Sequence, residues 1–254
     1  MRDYQRIVKR LEALDRTTWE LLTLAQASGF PIYGVRSVAS RRLPSVYLSA
    51  GTHGDEPAGV EAVLRFLEAQ GERWTECFSF WVLPCLNPWG YVHDRRENAD
   101  GVDLNWAYDR EELPEIRAVH HWVAGRRFAL AVDLHEDWES PGFYLYELRR
   151  NGPPVGEEIV RRVGTVCPIN LEPTIEGDPA RLGVIHPDPN APRRQERGAG
   201  IPIALFRDHT DHLVTTETPT VRPLQERVEA HRIALETLLE AHQDDSAEAA
   251  PISS

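Results

Sequence analysis

FALAVDLHED, residues 128–137, is the stretch on which the reading of this chain turns. From Phe128 to Leu134 it is apolar with the single exception of Asp133. A strand covered by helices on both faces reads this way, because neither face meets water and polar alternation disappears. The run ends on His135, followed by Glu136 and Asp137. A histidine in a core needs a partner, since burying an unpaired polar group is costly. At a strand end the same side chain is also well placed to ligate a metal, with Asp133, Glu136 or Asp137 orienting it from behind. On these residues alone, both readings of His135 stand.

Outward from this strand, PIYGVRSV (31–38), SVYLSA (45–50), FSFWVLPC (78–85), FYLYEL (143–148), IPIALF (201–206) and LVTTE (213–217) read as further strands. Helical spacing of apolar residues marks 3–14, 56–70, 154–166 and 223–243, and Pro114 opens another helix over 115–126. SRRLP (40–44) reads as a turn, 51–55 and 87–108 as loops, and the Pro-, Gly- and Arg-rich 168–200 as a long functional loop. Strands separated by helices imply a single α/β domain over 1–243, its sheet covered on both faces. The polar, acidic end 244–254 reads as a disordered tail. In such sheets ligands bind at the loops beyond the strand C-termini.

Composition narrows the function classes. A net charge of -12 over 254 residues argues against nucleic-acid binding, which calls for a basic face. No apolar run approaches the ~20 residues of a membrane span, and the charged N-terminus lacks the apolar core of a secretory signal. The expected location is cytoplasmic. Cys77, Cys85 and Cys167 are widely spaced, form no CxxC pair and read as packed thiols.

Three other pieces fall at strand ends or in loops. In SAGTHGDEPAG, His53 and Glu56 stand three apart between a strand and a helix, so one turn can present an imidazole and a carboxylate to the same ion. Alternatively, His53 is a loop residue and Glu56 a charge favoured by the helix dipole. The segment 87–108 concentrates Arg95, Arg96, Asn98, Asp103 and Asn105. In TTETP (215–219), Glu217 ends a short apolar strand, as a general base aimed at the cleft or as an ordinary strand-end charge.

Taken together, GTHGDE, NPWGY with RENADGVDLN, PEIRAV, DLHED and TTETP resemble the zinc carboxypeptidase family, in the branch of carboxypeptidase A and the murein-peptide amidases. The resemblance covers about 20–240. It implies a mixed, mostly parallel sheet and one zinc ion per chain, held by His53, Glu56 and His135. It implies Glu217 as the base that takes a proton from water, and Arg96, by its R-x-N spacing, rather than Arg95 as the oxyanion partner. It also implies a substrate contact at Asn105. The family pattern reads DLNRN where this chain reads DLNWA, so Trp106 stands where the carboxylate-gripping arginine is expected. An indole cannot reproduce a bidentate guanidinium fork. Trp106 then lines a subsite or packs in the wall, and Arg149, Arg181 or Arg207 could carry the missing charge. The expected activity is hydrolysis of an amide in a small peptide. The alternatives are deacylation of N-acyl amino acids, as in the succinylglutamate desuccinylase and aspartoacylase branch, and a non-catalytic metal-binding relative.

Overall fold

The computed structural model describes residues 2–38, 43–191 and 196–248. Its strands are β1 (Trp19–Ala27), β2 (Phe30–Ser37), β3 (Ser45–Ala50), β4 (Ser79–Leu83), β5 (Leu130–Asp137), β6 (Tyr144–Arg149), β7 (Thr174–Ile175), β8 (Asp178–Pro179), β9 (Val184–Ile185) and β10 (His212–Pro219). Eight of them form one sheet in the order β1-β2-β4-β3-β5-β10-β6-β9, while β7 and β8 pair separately. The central strands β4, β3, β5 and β10 run parallel, and antiparallel pairing joins β2 to β4 and β6 to β10. The result is a mixed, mostly parallel sheet in a single α/β domain.

Alternation along the central strands sorts the core into two layers. Val46, Leu48 and Ala50 of β3, with Leu130, Val132 and Leu134 of β5, pack among residues of the helices Tyr4–Glu12, Pro57–Arg65, Gly156–Val163 and Leu224–Glu248. Tyr47 and Ala131, between them in sequence, pack on the opposite side with the helices Pro114–Val123 and Ile201–Asp208. Both faces are covered, which is why β5 carries no polar alternation.

The structure corrects several sequence expectations. IPIALF is the start of the helix Ile201–Asp208, not a strand. A short apolar run fits either state, and here Pro202, placed in the first helical turn, favours the helix. The 19–27 stretch, unmarked in the sequence pattern, is β1, joined to β2 by a two-residue turn in which Ser28 and Gly29 both take positive φ (49° and 86°). The last helix continues to Glu248 rather than giving way to a tail at 244. Alanine, glutamate and glutamine are good helix formers, and extending a helix already packed costs no new nucleus. Residues 249–254 and most of the SRRLP turn lie outside the described residues. The 87–108 loop contains the short helix Pro88–His93 and a 3-10 turn at Leu104–Trp106. Among the described residues, no helix is long and apolar enough to cross a membrane.

Because β3, β4, β5 and β10 are parallel, their C-terminal ends open on one edge. All seven residues singled out from the sequence lie in or beside the loops and strand ends of that edge.

Candidate metal and active site

The turn after β3 is fixed by backbone contacts. The chain leaving β4 pairs with it, Leu86 N donating to Ala50 O (3.1 Å) and Asn87 N to Gly51 O (2.8 Å). Gly54 comes so close to the helix Pro88–His93 that a Cβ there would lie 1.9 Å from the Gly90 carbonyl carbon. Gly54 N donates to Arg96 O (3.4 Å), and Asn87 Nδ2 donates to the same oxygen (3.2 Å). The segment carrying His53 and Glu56 is thus jointed to the segment carrying Arg96 through main-chain atoms.

His53, Glu56 and His135 are each buried, and their ligand atoms lie within 4.8 Å of one another. His53 Nδ1 is 2.6 Å from Glu56 Oε1, His135 Nδ1 is 3.0 Å from Glu56 Oε2, and the two Nδ1 atoms are 3.2 Å apart. The ring nitrogens on the far sides are anchored: His53 Nε2 to Asp103 Oδ1 (3.1 Å), His135 Nε2 to Asp133 Oδ2 (2.9 Å). Asp133 in turn accepts from the Ser49 hydroxyl (2.7 Å). A carboxylate behind each imidazole can hold a proton on Nε2 and so free the inward Nδ1 to ligate an ion. Glu56 Oε2, although near His135, is buried without a well-directed hydrogen bond. Two inward lone pairs and an orphaned carboxylate oxygen are the donor set of a divalent cation such as zinc.

The carboxylates around the two imidazoles also dominate the electrostatics of the cluster. Burial works against the charged form of Glu56, but the two imidazoles prevail and hold its carboxyl well below the usual range. Burial likewise opposes protonation of His135, and Asp133 with Glu56 outweighs it, raising that imidazole well above its ordinary value. Asp103 is lowered by His53 and Arg96 despite its desolvation.

Glu217 sits on β10 in register with His135 on β5. It reaches solvent only through the cavity, and this desolvation raises its carboxyl well above the ordinary value; Glu56 and Asp137 add to the rise, while His135 and Arg96 oppose it. Arg96 lies 3.5 Å from Glu56 Oε1 and pairs with Asp103 (3.1 Å). Arg95 is exposed and outside the cavity. Asn105 and Trp106 both line it.

The cavity holds about 420 Å³. Its near wall is His53, Glu56, Arg96, Asp103 and Glu217. The rest of its lining, called the far wall below, includes Trp138, Tyr144, Tyr146 and Leu148, with Tyr144 in register with Glu217, and Arg197 and Ile203 of the segments around the helix Ile201–Asp208. The sequence gives little sign of this side: the aromatics of FYLYEL look like core, and Ile203 lies in an apolar run that reads as a strand. Arg149, Arg181 and Arg207 do not reach the cavity; they engage Asn151 O (2.7 Å), Glu157 (3.5 Å) and Asp208 (2.6 Å).

Residues 42–166 match the model of the succinylglutamate desuccinylase/aspartoacylase catalytic domain. The chain is 26% identical to carboxypeptidase SOL1 of Arabidopsis thaliana over 164 residues, 56% of this chain and 32% of that one. It is 38% identical to murein peptide amidase A of Vibrio campbellii over 76 residues, 29% of this chain and 28% of that one. A solved candidate metallopeptidase from Shewanella amazonensis superposes with a TM-score of 0.80 at 26% identity, covering 94% of this chain and 93% of that one. In sequence and fold the chain is similar to carboxypeptidase-like metallopeptidases. Its matches span about a third or less of the length of these curated relatives. A metallo-carboxypeptidase from Burkholderia cenocepacia shares the fold, with a TM-score of 0.69 over 96% of this chain and 70% of that one, at 17% identity. Among the described residues, the His-Glu-His group is the one cluster that could hold a metal ion.

Proposed function

We propose that this chain is a zinc-dependent amide hydrolase of carboxypeptidase type, acting on a peptide or peptide-like substrate. The observation that carries the reading is the convergence of His53 Nδ1, His135 Nδ1 and the Glu56 carboxylate beside Glu217, at the wall of a substrate-sized cavity. An ion held by His53, Glu56 and His135 would supply Lewis acidity and make a water acidic near pH ~7. Glu217 takes the proton of the attacking water and returns it to the amine nitrogen as the amide C–N bond breaks. Its desolvated surroundings favour holding that proton between the two transfers. Arg96 faces the charge that develops on the carbonyl oxygen. Asp103 and Asp133 keep both imidazoles in the ligating tautomer.

The match to the desuccinylase/aspartoacylase model supports a second reading, in which the scissile amide belongs to an N-acyl amino acid. One screen separates the two. The zinc-loaded chain, with a chelator control, is given peptides with free C-terminal carboxylates, their C-terminal amides, and N-acyl amino acids. Chelator-sensitive cleavage of peptides is the expected result. Cleavage of acyl amino acids alone would install the deacylase reading, and no cleavage by a fully zinc-loaded protein would overturn both.

A further inference from the structure

The cavity that holds His53 and Glu56 is also lined by a cation that the mechanism above does not use. Arg197 lines the cavity with its guanidinium carbon 5.2 Å from the centre of the Trp106 ring. The other cavity arginine, Arg96, is committed to Glu56 and Asp103. Among the described residues, Arg197 makes no ion pair and no hydrogen bond; its contact is the indole face.

That placement is built into the backbone. Ala199 bridges to Ala107, and its carbonyl accepts from Tyr108 N at 2.9 Å. Gly198 takes φ +117°, and a Cβ on it would lie 2.4 Å from the Trp106 carbonyl oxygen. A Cβ on Gly200 would lie 3.2 Å from the indole ring itself. The 198–200 segment is therefore zipped onto 106–108, and the residue just before it is delivered over Trp106. A guanidinium carried over an aromatic ring can still offer its N–H edge, and that edge matches a carboxylate through two parallel hydrogen bonds. Asn105, beside Trp106 in the same wall, adds an amide.

We infer that Arg197 is a specificity-determining residue that grips a carboxylate on the leaving-group side of the substrate, with Trp106 as the platform that holds it. This rests on the amide-hydrolase reading. The substrate class it selects is an amide whose nitrogen belongs to an amino acid with a free carboxylate.

The test uses the full zinc-loaded chain with N-benzoyl-glycyl-phenylalanine and its C-terminal amide, and compares Arg197→Ala and Arg197→Lys with the parent. A hydrogen-bonded charge of this kind is worth about 10- to 100-fold. Arg197→Ala should lose that factor in kcat/KM on the acid, through KM, and leave cleavage of the amide and the zinc content unchanged. Arg197→Lys, which keeps the charge without the fork, should recover part of it. An unchanged acid-to-amide ratio in Arg197→Ala would overturn the proposal. A second arm needs no turnover: calorimetric binding of 3-phenylpropionate against neutral 3-phenylpropionamide. Arg197→Ala should weaken the acid at least tenfold and leave the amide alone, and equal weakening of both or of neither overturns the assignment. If the parent chain cleaves neither substrate, the hydrolase reading falls by itself, and this binding arm still decides Arg197.

Discussion

Glu217 and His135 are register partners across the parallel β10–β5 pair. Adjacent strands hold such partners about 4.8 Å apart at the backbone, so the carboxyl and the imidazole enter the cavity side by side without any loop having to fold over them. On the reverse face of β10, Thr216 and Thr218 hydrogen-bond to the two ring nitrogens of His231 (2.9 and 3.2 Å) and fix the strand that presents Glu217.

Glu217→Gln keeps the shape of the side chain and removes its proton traffic. We expect zinc content to stay at the parent level and turnover to fall by about 100-fold or more, the usual worth of a positioned base. Parallel metal analysis and steady-state kinetics check this, and parent-level turnover would remove Glu217 from the mechanism.

His135→Ala removes a ligand, and zinc retained after dialysis should fall sharply. Asp133→Asn is the finer probe, because Asp133 touches only the far nitrogen of His135 and the Ser49 hydroxyl. Its loss should weaken zinc about 10- to 100-fold, as loss of an outer partner does elsewhere. Competition with a chromogenic chelator measures both, and unaltered affinity in both variants would mean that the ion lies elsewhere.

Arg96→Ala should lower kcat by about 100- to 1000-fold, the cost of a lost oxyanion partner. Arg95→Ala should leave it unchanged, since Arg95 is exposed and outside the cavity. The reverse ranking would reassign the role.

His231 gives a pH dependence of stability. Burial, helped by the nearby His135, pushes its pKa from 6.5 down to about 3. The folded chain keeps it neutral, whereas the unfolded chain protonates it below 6.5. Acid therefore favours unfolding, and this contribution is fully present above pH 6.5 and drains away as pH falls toward about 3. The slope approaches about 1.4 kcal/mol per pH unit for one proton. The urea midpoint should fall more between neutral and mildly acidic pH for the parent than for His231→Gln; equal losses would show that His231 does not titrate across that window.

How legible all this was depended on whether a residue's role is local. His53 and Glu56 share one turn, and His135 and Glu217 close strands whose apolar runs announce them, so the near wall could be read from short motifs. Arg96 followed from its spacing to Asn98. The partners of the histidines were half visible: Asp133 is two residues from His135, but the pairing of Asp103 with His53 needs the loop to fold back across 50 positions. The far wall had no local signature. Tyr144 and Tyr146 alternate like core residues of any strand, Ile203 sits in an apolar run that serves helix and strand equally, and Arg197 gains its meaning only from Trp106. The same limit hid β1, whose pairing depends on the two-residue turn that precedes β2.

The fit of Gly54 against Gly90 has a consequence for how this molecule can diverge. Main-chain joints leave no slack, so the half of the site that does chemistry must move or fail as one piece; a single methyl at 54 would pry the ligand turn and the Arg96 segment apart together. The other half has a seam of its own, where Ala199 bridges to Ala107 and Gly198 packs against the Trp106 carbonyl. Asp103, which anchors His53 and Arg96, also accepts from Asn105 N, so a backbone change in either seam reaches both chemistry and selectivity, and the chain can be retuned to a new substrate only by exchanging side chains between the seams.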